Sequence, residues 1–148
     1  MTTNLIENNL KKLYENDYLQ WLDKNIKLLK KSRLSEVDLE NIIEELESLG
    51  RSEKTALRSN LTVLLMHLLK WDYQPDKHSN SLRYTIIEQR RRILDAFEDS
   101  PSLKRFFEEI LEKTYAKALE DASEETGLPL NAFPPENPYT VDQILSPR

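Results

Sequence analysis

Apolar residues recur at intervals of three and four positions along most of this chain of 148 residues. This spacing places them on one side of an α-helix, because an α-helix has about 3.6 residues per turn. The pattern predicts five helices, with expected ranges of 17–33, 35–50, 52–74, 81–98 and 100–127. Helices with one apolar side bury that side against each other. We therefore expect an all-α fold, an up-and-down helical bundle of four to five helices.

Residues that favour helix ends occur at the borders of these ranges. Asp17 and the pair Ser100-Pro101 are typical of helix starts. Gly50 and Gly127 are expected just beyond helix C-termini, where glycine adopts the left-handed conformation readily. Gly50 therefore predicts a turn between the second and third helices.

The N-terminal residues 1–16 are polar, and we expect them to form an arm with a short leading helix. The apolar residues Leu5, Ile6 and Leu10 of this arm suit pairing with, or swapping into, another chain.

The C-terminal residues 128–148 contain five of the seven prolines. Proline interrupts helices, so this segment is expected to be an extended Pro-rich tail docked on the bundle. Thr140 followed by Gln143 predicts one short helical turn within it. We expect a single domain, 1–148, with residues 17–127 as the bundle.

The composition excludes several classes of function. With only two glycines, the chain has no glycine-rich phosphate-binding loop, and with no cysteine it forms neither a disulfide nor a thiolate metal site. Its net charge of −5 opposes non-specific binding to nucleic acid. No apolar stretch reaches the ~20 residues that a membrane-spanning helix needs. We expect a cytoplasmic protein that does not bind membranes.

Opposite charges at matching spacing suggest a polar site inside the bundle. Residues 36–50 carry six acids and no base, whereas Arg83 and Arg90 lie within the apolar arc of the fourth helix. With a turn at Gly50, the second and fourth helices run parallel. Asp38 is then expected to face Arg83, and Glu45 to face Arg90. We call this arrangement the charge ladder.

The charge ladder has two interpretations. Buried ion pairs often serve structure alone, whereas an anion- or metal-dependent enzyme would use Asp38, Glu45, His67 and Arg90. A histidine surrounded by leucines is more often a structural residue than a ligand, and metal ligation needs more donors than His67 offers. We therefore expect no metal and no cofactor.

A second candidate site lies at the end of the third helix. Lys70, Trp71 and Tyr73 combine basic and aromatic side chains there, and Arg91 and Arg92 add local positive charge. These five residues are the candidate recognition patch. Nucleic-acid binding through the Arg-rich fourth helix is the less favoured use of the patch, because stacking proteins normally carry more basic surface. The structural alternative is that Trp71 closes the end of the bundle.

Several short motifs occur together in a recognisable order. They are Tyr18-x-x-Trp21-Leu22, Asp38-Leu39-Glu40-Asn41-Ile42-Ile43-Glu44-Glu45, Leu49-Gly50-Arg51-Ser52-Glu53, Leu64-Leu65-Met66-His67-Leu68-Leu69-Lys70-Trp71, Ile87-Glu88-Gln89-Arg90, Ser100-Pro101-Ser102-Leu103 and Pro138-Tyr139-Thr140. In this order the chain resembles the bacterial, largely cyanobacterial, family described as domain of unknown function 29, from about residue 16 to 145. The resemblance implies a compact helical domain of bacterial origin, and it implies no activity.

The function expected from the sequence is therefore that of a non-enzymatic protein-interaction or regulatory module, of an antitoxin-like kind. Its partner is another protein or a second copy of the chain. The enzyme that uses the charge ladder and the nucleic-acid-binding protein remain the alternatives.

Overall fold

The structure, a computed structural model, describes the backbone of residues 2–146 and the side chains of residues 9–146. Regular structure within these residues is entirely helical, so the predicted all-α class is confirmed. The α-helices are α1 (Thr2–Asn16), α2 (Tyr18–Lys30), α3 (Leu39–Tyr73), α4 (Asn80–Asp99), α5 (Leu103–Thr126) and α6 (Val141–Leu145), with single 3-10 turns at Pro75–Lys77 and Leu130–Ala132. Every one of these helices is too short or too polar to span a lipid bilayer. The chain forms two compact units, Met1–Arg51 and Ser52–Arg148.

The predicted turn at Gly50 is wrong, because α3 runs without interruption for 35 residues through this position. Gly127 has a positive φ of 73°, whereas the φ of Gly50 is not positive. A glycine inside a helix costs only about 1 kcal/mol relative to alanine, which the hydrogen bonds of the flanking turns outweigh. The second and third predicted helices are therefore one helix, and the parallel alignment that the charge ladder required has no basis.

The other helix ends follow their signals more closely. The Asp17 carboxylate accepts a hydrogen bond from the backbone N–H of Gln20 and caps α2. Gly127 ends α5 in the left-handed conformation, and Thr140 begins α6 with a complete capping box. The start at Ser100 was predicted too early, because Ser100 caps the end of α4 and α5 begins at Leu103.

The Met1–Arg51 unit consists of α1, α2 and the first part of α3. Contacts between α2 and α3 show that the two helices run antiparallel: Trp21 contacts Asp38, whereas the earlier residue Tyr18 contacts the later residue Glu45. Leu10 of α1 is 3% exposed, so it is not the free arm residue that was predicted. The side chains of Leu5 and Ile6 lie outside the described residues.

The Ser52–Arg148 unit contains the larger core. The predicted central position of residues 61–69 is confirmed, because Leu61, Leu64, Leu65, Leu68 and Leu69 are all at most 1% exposed. These leucines pack with side chains of α4 and α5 in one cluster, which includes Ile93, Phe97, Phe107 and Tyr115. Burial of this many apolar side chains favours the folded state of the unit.

Residues after Gly127 contact this core at several points. Phe133, Tyr139 and Ile144 are buried in the cluster. The Tyr115 hydroxyl donates to the Pro134 carbonyl over 2.5 Å, and the Tyr139 hydroxyl donates to the Asp72 carboxylate over 2.8 Å. Residues 147 and 148, including the last tail proline, lie outside the described residues.

Candidate functional site

Asp38 is a buried carboxylate at the start of α3, with 2% of its surface exposed. Its Oδ2 accepts hydrogen bonds from the Trp21 indole N–H over 3.0 Å and from the Asn41 amide over 2.7 Å. Its backbone N–H donates to Asn25 over 2.9 Å, and Asn25 in turn donates to the Trp21 carbonyl. Among the side chains and backbone that the structure describes, Oδ1 has no hydrogen-bond partner. The network fixes the loop between α2 and α3, and the positive end of the helix dipole favours the charge.

Glu45 lies one heptad further along α3 and accepts hydrogen bonds from two tyrosines. Tyr14 of α1 donates to Oε1, and Tyr18 of α2 donates to Oε2 over 2.8 Å. These bonds favour the carboxylate form and hold the pKa of Glu45 below its ordinary value. The bond from Tyr14 to Glu45 raises the pKa of Tyr14 to about 12, and the separate bond from Tyr18 to Glu45 raises the pKa of Tyr18. Glu45 therefore joins all three helices of the Met1–Arg51 unit.

The two arginines of the predicted charge ladder differ in their surroundings. Arg90 is 6% exposed, and its guanidinium donates to the Ile144 carbonyl over 2.8 Å and to the Gln143 carbonyl over 3.2 Å. These carbonyls belong to the C-terminal end of α6, where a positive charge is favoured. Arg83 is exposed and lines a shallow depression of about 400 Å³ with Trp71 and His78.

The residues of the predicted charge ladder thus have hydrogen-bond partners other than the oppositely charged residues that were predicted. The acids bind tyrosine, tryptophan and asparagine donors within the Met1–Arg51 unit. Arg90 binds backbone carbonyls within the Ser52–Arg148 unit. The helix order that aligned the four charges was wrong, because no turn separates Asp38 and Glu45 from the rest of α3.

His67 is half-buried on α3. Its Nδ1 lies 2.7 Å from the Val63 carbonyl oxygen, one turn earlier in the same helix. Burial lowers the pKa of His67 below its ordinary value and so favours the neutral ring. Within the side chains that the structure describes, no three His, Cys, Asp or Glu residues form a group that fits a metal ion.

The aromatic members of the recognition patch are engaged by neighbouring side chains. The rings of Trp71 and His78 stack 3.6 Å apart at an angle of 9°, and His78 Nε2 lies 2.7 Å from the Trp71 carbonyl oxygen. Tyr73 packs edge-on against Phe133 at 6.0 Å. Trp71 also packs on the core.

The basic members of the patch form ion pairs. Lys70 binds Glu125 of α5 over 2.6 Å. Arg91 and Arg92 both bind Glu88 of their own helix. Since each of these cations faces an acid, the local positive potential is smaller than the sequence of α4 suggests.

The most extensive candidate surface is one that the sequence assigned to the bundle core. The apolar stripes of α2 and of the first part of α3 are largely open to solvent: Leu46 is 62% exposed and Leu49 is 64% exposed. We call this surface the apolar face. It consists of Leu19, Leu22, Ile26 and Leu29 from α2 and Leu39, Ile42, Ile43, Leu46 and Leu49 from α3.

Helix geometry places both stripes on one side of the antiparallel pair. Each residue advances by about 100° around the helix axis. On this basis the centre of the α2 stripe lies roughly 120° around α2 from Trp21. The centre of the α3 stripe lies roughly 100° around α3 from Glu45, in the same rotational sense. Trp21 and Glu45 mark the sides on which the two helices approach each other. Equal rotations on two antiparallel helices point to the same side. The two stripes therefore form one continuous face.

Helix α1 covers a different side of the pair. Tyr14 contacts Glu45 and Trp21, and Lys11 forms an ion pair with Glu40 over 3.4 Å. Leu10 and Leu13 line a cavity of about 350 Å³ together with Lys24 and Leu28 of α2. Lys24 and Leu28 lie away from the α2 stripe on the helix circumference. The described part of α1, from residue 9 onward, thus leaves the apolar face uncovered.

One signal in the sequence could have identified this surface. The apolar stripes of 19–29 and 39–49 are clear, but the segment up to residue 51 supplies few large apolar residues that could cover them. Periodicity shows that a helix has an apolar side, but it does not show whether that side is covered by the same chain.

A comparison with family models matches residues 13–148 of this chain to the family described as Domain of unknown function DUF29. No curated protein and no solved structure matches the chain.

Proposed function

The chain belongs to the DUF29 family, as its motifs predicted, and since this membership assigns no activity, we propose from the geometry that it is a non-enzymatic protein-interaction module. Its docking surface is the apolar face. The observation that carries the proposal is the exposure of seven large apolar residues of this face, which range from 43% to 76% exposed: Leu19, Ile26, Leu29, Leu39, Ile43, Leu46 and Leu49. Single exposed leucines are ordinary, but a contiguous apolar surface marks an interaction site.

The shape of the surface indicates what it binds. Two antiparallel helices with adjacent apolar stripes form a shallow groove, and amphipathic helices bind such grooves through residues spaced three and four apart. A helical partner would therefore fit the apolar face. The regulatory, antitoxin-like role expected from the sequence remains a prediction. It agrees with this proposal, because a small helical domain of that type acts by docking on its partner's surface.

Other contacts support a non-enzymatic role. Both carboxylate oxygens of Glu45 accept hydrogen bonds from tyrosines, and Asp38 Oδ2 accepts two more. These acids therefore stabilise the fold of their unit. Arg91 and Arg92 are paired with Glu88, which weakens the case for nucleic-acid binding through α4. The bacterial origin and the cytoplasmic location expected above remain predictions.

In-cell photo-crosslinking tests the proposal. A photoreactive phenylalanine analogue replaces Leu46 in the full chain, and the matched control carries it at Leu94, which is 44% exposed on α4. We expect an intermolecular adduct, with another protein or a second copy, from position 46 and much less from position 94. Equal yields at both positions, or adducts only within one chain at position 46, would contradict the proposal.

A further inference from the structure

A groove of about 750 Å³ lies between α3 and α5 in the Ser52–Arg148 unit, and we call it the cationic groove. Lys54 and Arg58 of α3 lie over the ring of Phe106 near the start of α5. Lys70, further along α3, pairs with Glu125 near the end of α5, so the two helices run parallel. We propose that the cationic groove binds a small organic phosphate. This inference goes beyond the interaction function, since the groove shares no residue with the apolar face.

Three cations line the groove: Arg58 on α3, and Lys113 and Lys117 on α5. Among the side chains of residues 9–146, Arg58 and Lys113 have no carboxylate within ion-pair distance. Lys117 forms only an exposed pair with Asp121 over 3.6 Å, in which the lysine side chain is 66% exposed. The groove therefore carries an excess of positive charge, although the whole chain has a net charge of −5. Such a concentration of charge attracts an anion.

Thr114 distinguishes this groove from an ordinary basic surface. Its side chain lines the groove, although the residue is only 4% exposed. Within the part of the chain whose side chains the structure describes, its hydroxyl has no hydrogen-bond partner. The Thr62 hydroxyl on the other wall, in contrast, donates to the Arg58 carbonyl over 2.8 Å. A buried hydroxyl without a partner costs free energy, and an anion in the groove would accept its hydrogen bond.

The lining of the groove fits a phosphate that carries an organic body. Lys113 and Lys117 are one helical turn apart on the same side of α5, so both ammonium groups reach an anion bound at Thr114. A phosphate monoester carries close to two negative charges at pH 7 and presents three acceptor oxygens, whereas a carboxylate carries one charge. Val63 and Ile110 add half-buried apolar walls, which suit the body of an organic ligand. The groove also has the volume of a typical small-molecule site.

Isothermal titration calorimetry of the full chain at low ionic strength tests the proposal. The probes are adenosine monophosphate, phenyl phosphate, inorganic phosphate and adenosine. We expect both organic phosphates to bind more tightly than inorganic phosphate, because their bodies contact the apolar walls, and we expect no binding of adenosine, because it lacks the charge. Absence of binding by every phosphate up to about 1 mM would overturn the proposal. Equal affinities for organic and inorganic phosphate would overturn the organic ligand, and equal affinities for adenosine and its monophosphate would overturn the phosphate site.

Thr114→Val separates a binding role from a structural one. Valine keeps the shape of threonine and removes the hydroxyl, so the affinity for phenyl phosphate should fall about fivefold. The melting temperature should stay the same or rise, because the hydroxyl has no partner in the described chain. The matched control is Thr85→Val on α4, where the hydroxyl donates to the Ser81 carbonyl and lies outside the groove. Unchanged affinity, or a clear loss of stability, in Thr114→Val would overturn the role of this hydroxyl.

Charge variants test whether the anion is bound at one place. Lys113→Gln and Lys117→Gln should each weaken binding of phenyl phosphate about tenfold, because each removes a cation from the groove. The matched control Lys104→Gln makes the same change at an exposed position of α5 outside the groove and should leave the affinity unchanged. Asp121→Asn should strengthen binding, because it frees Lys117. Equal losses in Lys104→Gln and Lys113→Gln would show attraction by net charge alone and would overturn the site.

Discussion

Among single residues, Glu45 makes the clearest prediction about pH. Its pKa is lowered by the hydrogen bonds from Tyr14 and Tyr18, so its carboxylate form stabilises the fold. A group whose pKa is lowered on folding contributes stability above its ordinary pKa of about 4.3, and this contribution is lost as the pH falls through the folded value. Glu45→Gln should therefore lower the melting temperature of the Met1–Arg51 unit at pH 7, and the difference should shrink as the pH falls below the ordinary pKa of about 4.3.

Trp21 fluorescence in a Trp71→Phe background measures this melting. The control is Glu44→Gln, whose side chain forms an exposed ion pair with Arg51 over 2.8 Å. We expect little change from this variant, because exposed ion pairs contribute little. A Glu45→Gln difference that persists unchanged at pH 3 would show that the charge of Glu45 is not the cause.

Arg90 makes a second prediction at this scale. Arg90→Met removes the donors to the Ile144 and Gln143 carbonyls inside the core and should cost about 1–3 kcal/mol of unfolding free energy in urea. Arg91→Met, at an exposed position of the same helix, should change it by less than about 0.5 kcal/mol. Equal costs for both variants would mean that the carbonyl contacts of Arg90 contribute nothing measurable.

The sequence predicted that Arg90 is buried but not what it binds. Arg90 lies in the apolar arc of α4, which is visible in the helical pattern. Its partners are backbone carbonyls more than fifty residues later in the chain, and carbonyls leave no trace in a pattern of side chains. Asp38 is a similar case. Its hydrogen-bond donors, the Trp21 indole and the Asn41 amide, are neutral, so a search for opposite charges does not identify them.

Among the elements, α3 is the one that the sequence wrongly divided into two helices, and its continuity is testable. In a helix that continues through Gly50, the backbone N–H groups of Ser52, Glu53 and Lys54 donate to carbonyls four residues earlier. They should exchange slowly with solvent in nuclear magnetic resonance measurements. The N–H groups of Leu39, Glu40 and Asn41, in the true first turn, lack intrahelical acceptors and should exchange much faster.

If the N–H groups of Ser52, Glu53 and Lys54 exchanged faster than those of Leu39, Glu40 and Asn41, the predicted turn at Gly50 would be correct and α3 would not be continuous. The sequence pattern favoured that turn because glycine often follows a helix, and Gly127 does so. What distinguishes the two glycines is their context. Leu128-Pro129 follows Gly127 and prevents continuation, whereas Arg51 and the residues after Gly50 are ordinary helix formers. A rule based on glycine alone cannot separate these cases.

In the whole molecule, apolar burial is distributed unevenly. The buried apolar residues of positions 9–51 are Leu10, Trp21 and Val37, whereas the cluster of the Ser52–Arg148 unit contains 19 buried residues. About fifty residues with so small a core are marginally stable without a partner. The all-α class could be predicted from the periodicity of apolar residues. The uneven burial of the two units could not, because it depends on which apolar helix sides pack against each other. The single-domain organisation remains a prediction.

This imbalance leads to a prediction about unfolding. The chain has two tryptophans, one in each unit, so Trp71→Phe leaves a reporter for the Met1–Arg51 unit and Trp21→Phe leaves one for the other unit. Trp21 fluorescence should report a lower melting temperature than Trp71 fluorescence. If the apolar face dimerises, a tenfold rise in protein concentration should raise the Trp21 midpoint by a few degrees, because only the folded unit binds its partner. The Trp71 midpoint should stay constant, and Leu46→Glu should abolish the concentration dependence. Coincident midpoints at every concentration would show that the two units unfold together and that burial in each unit does not set its stability.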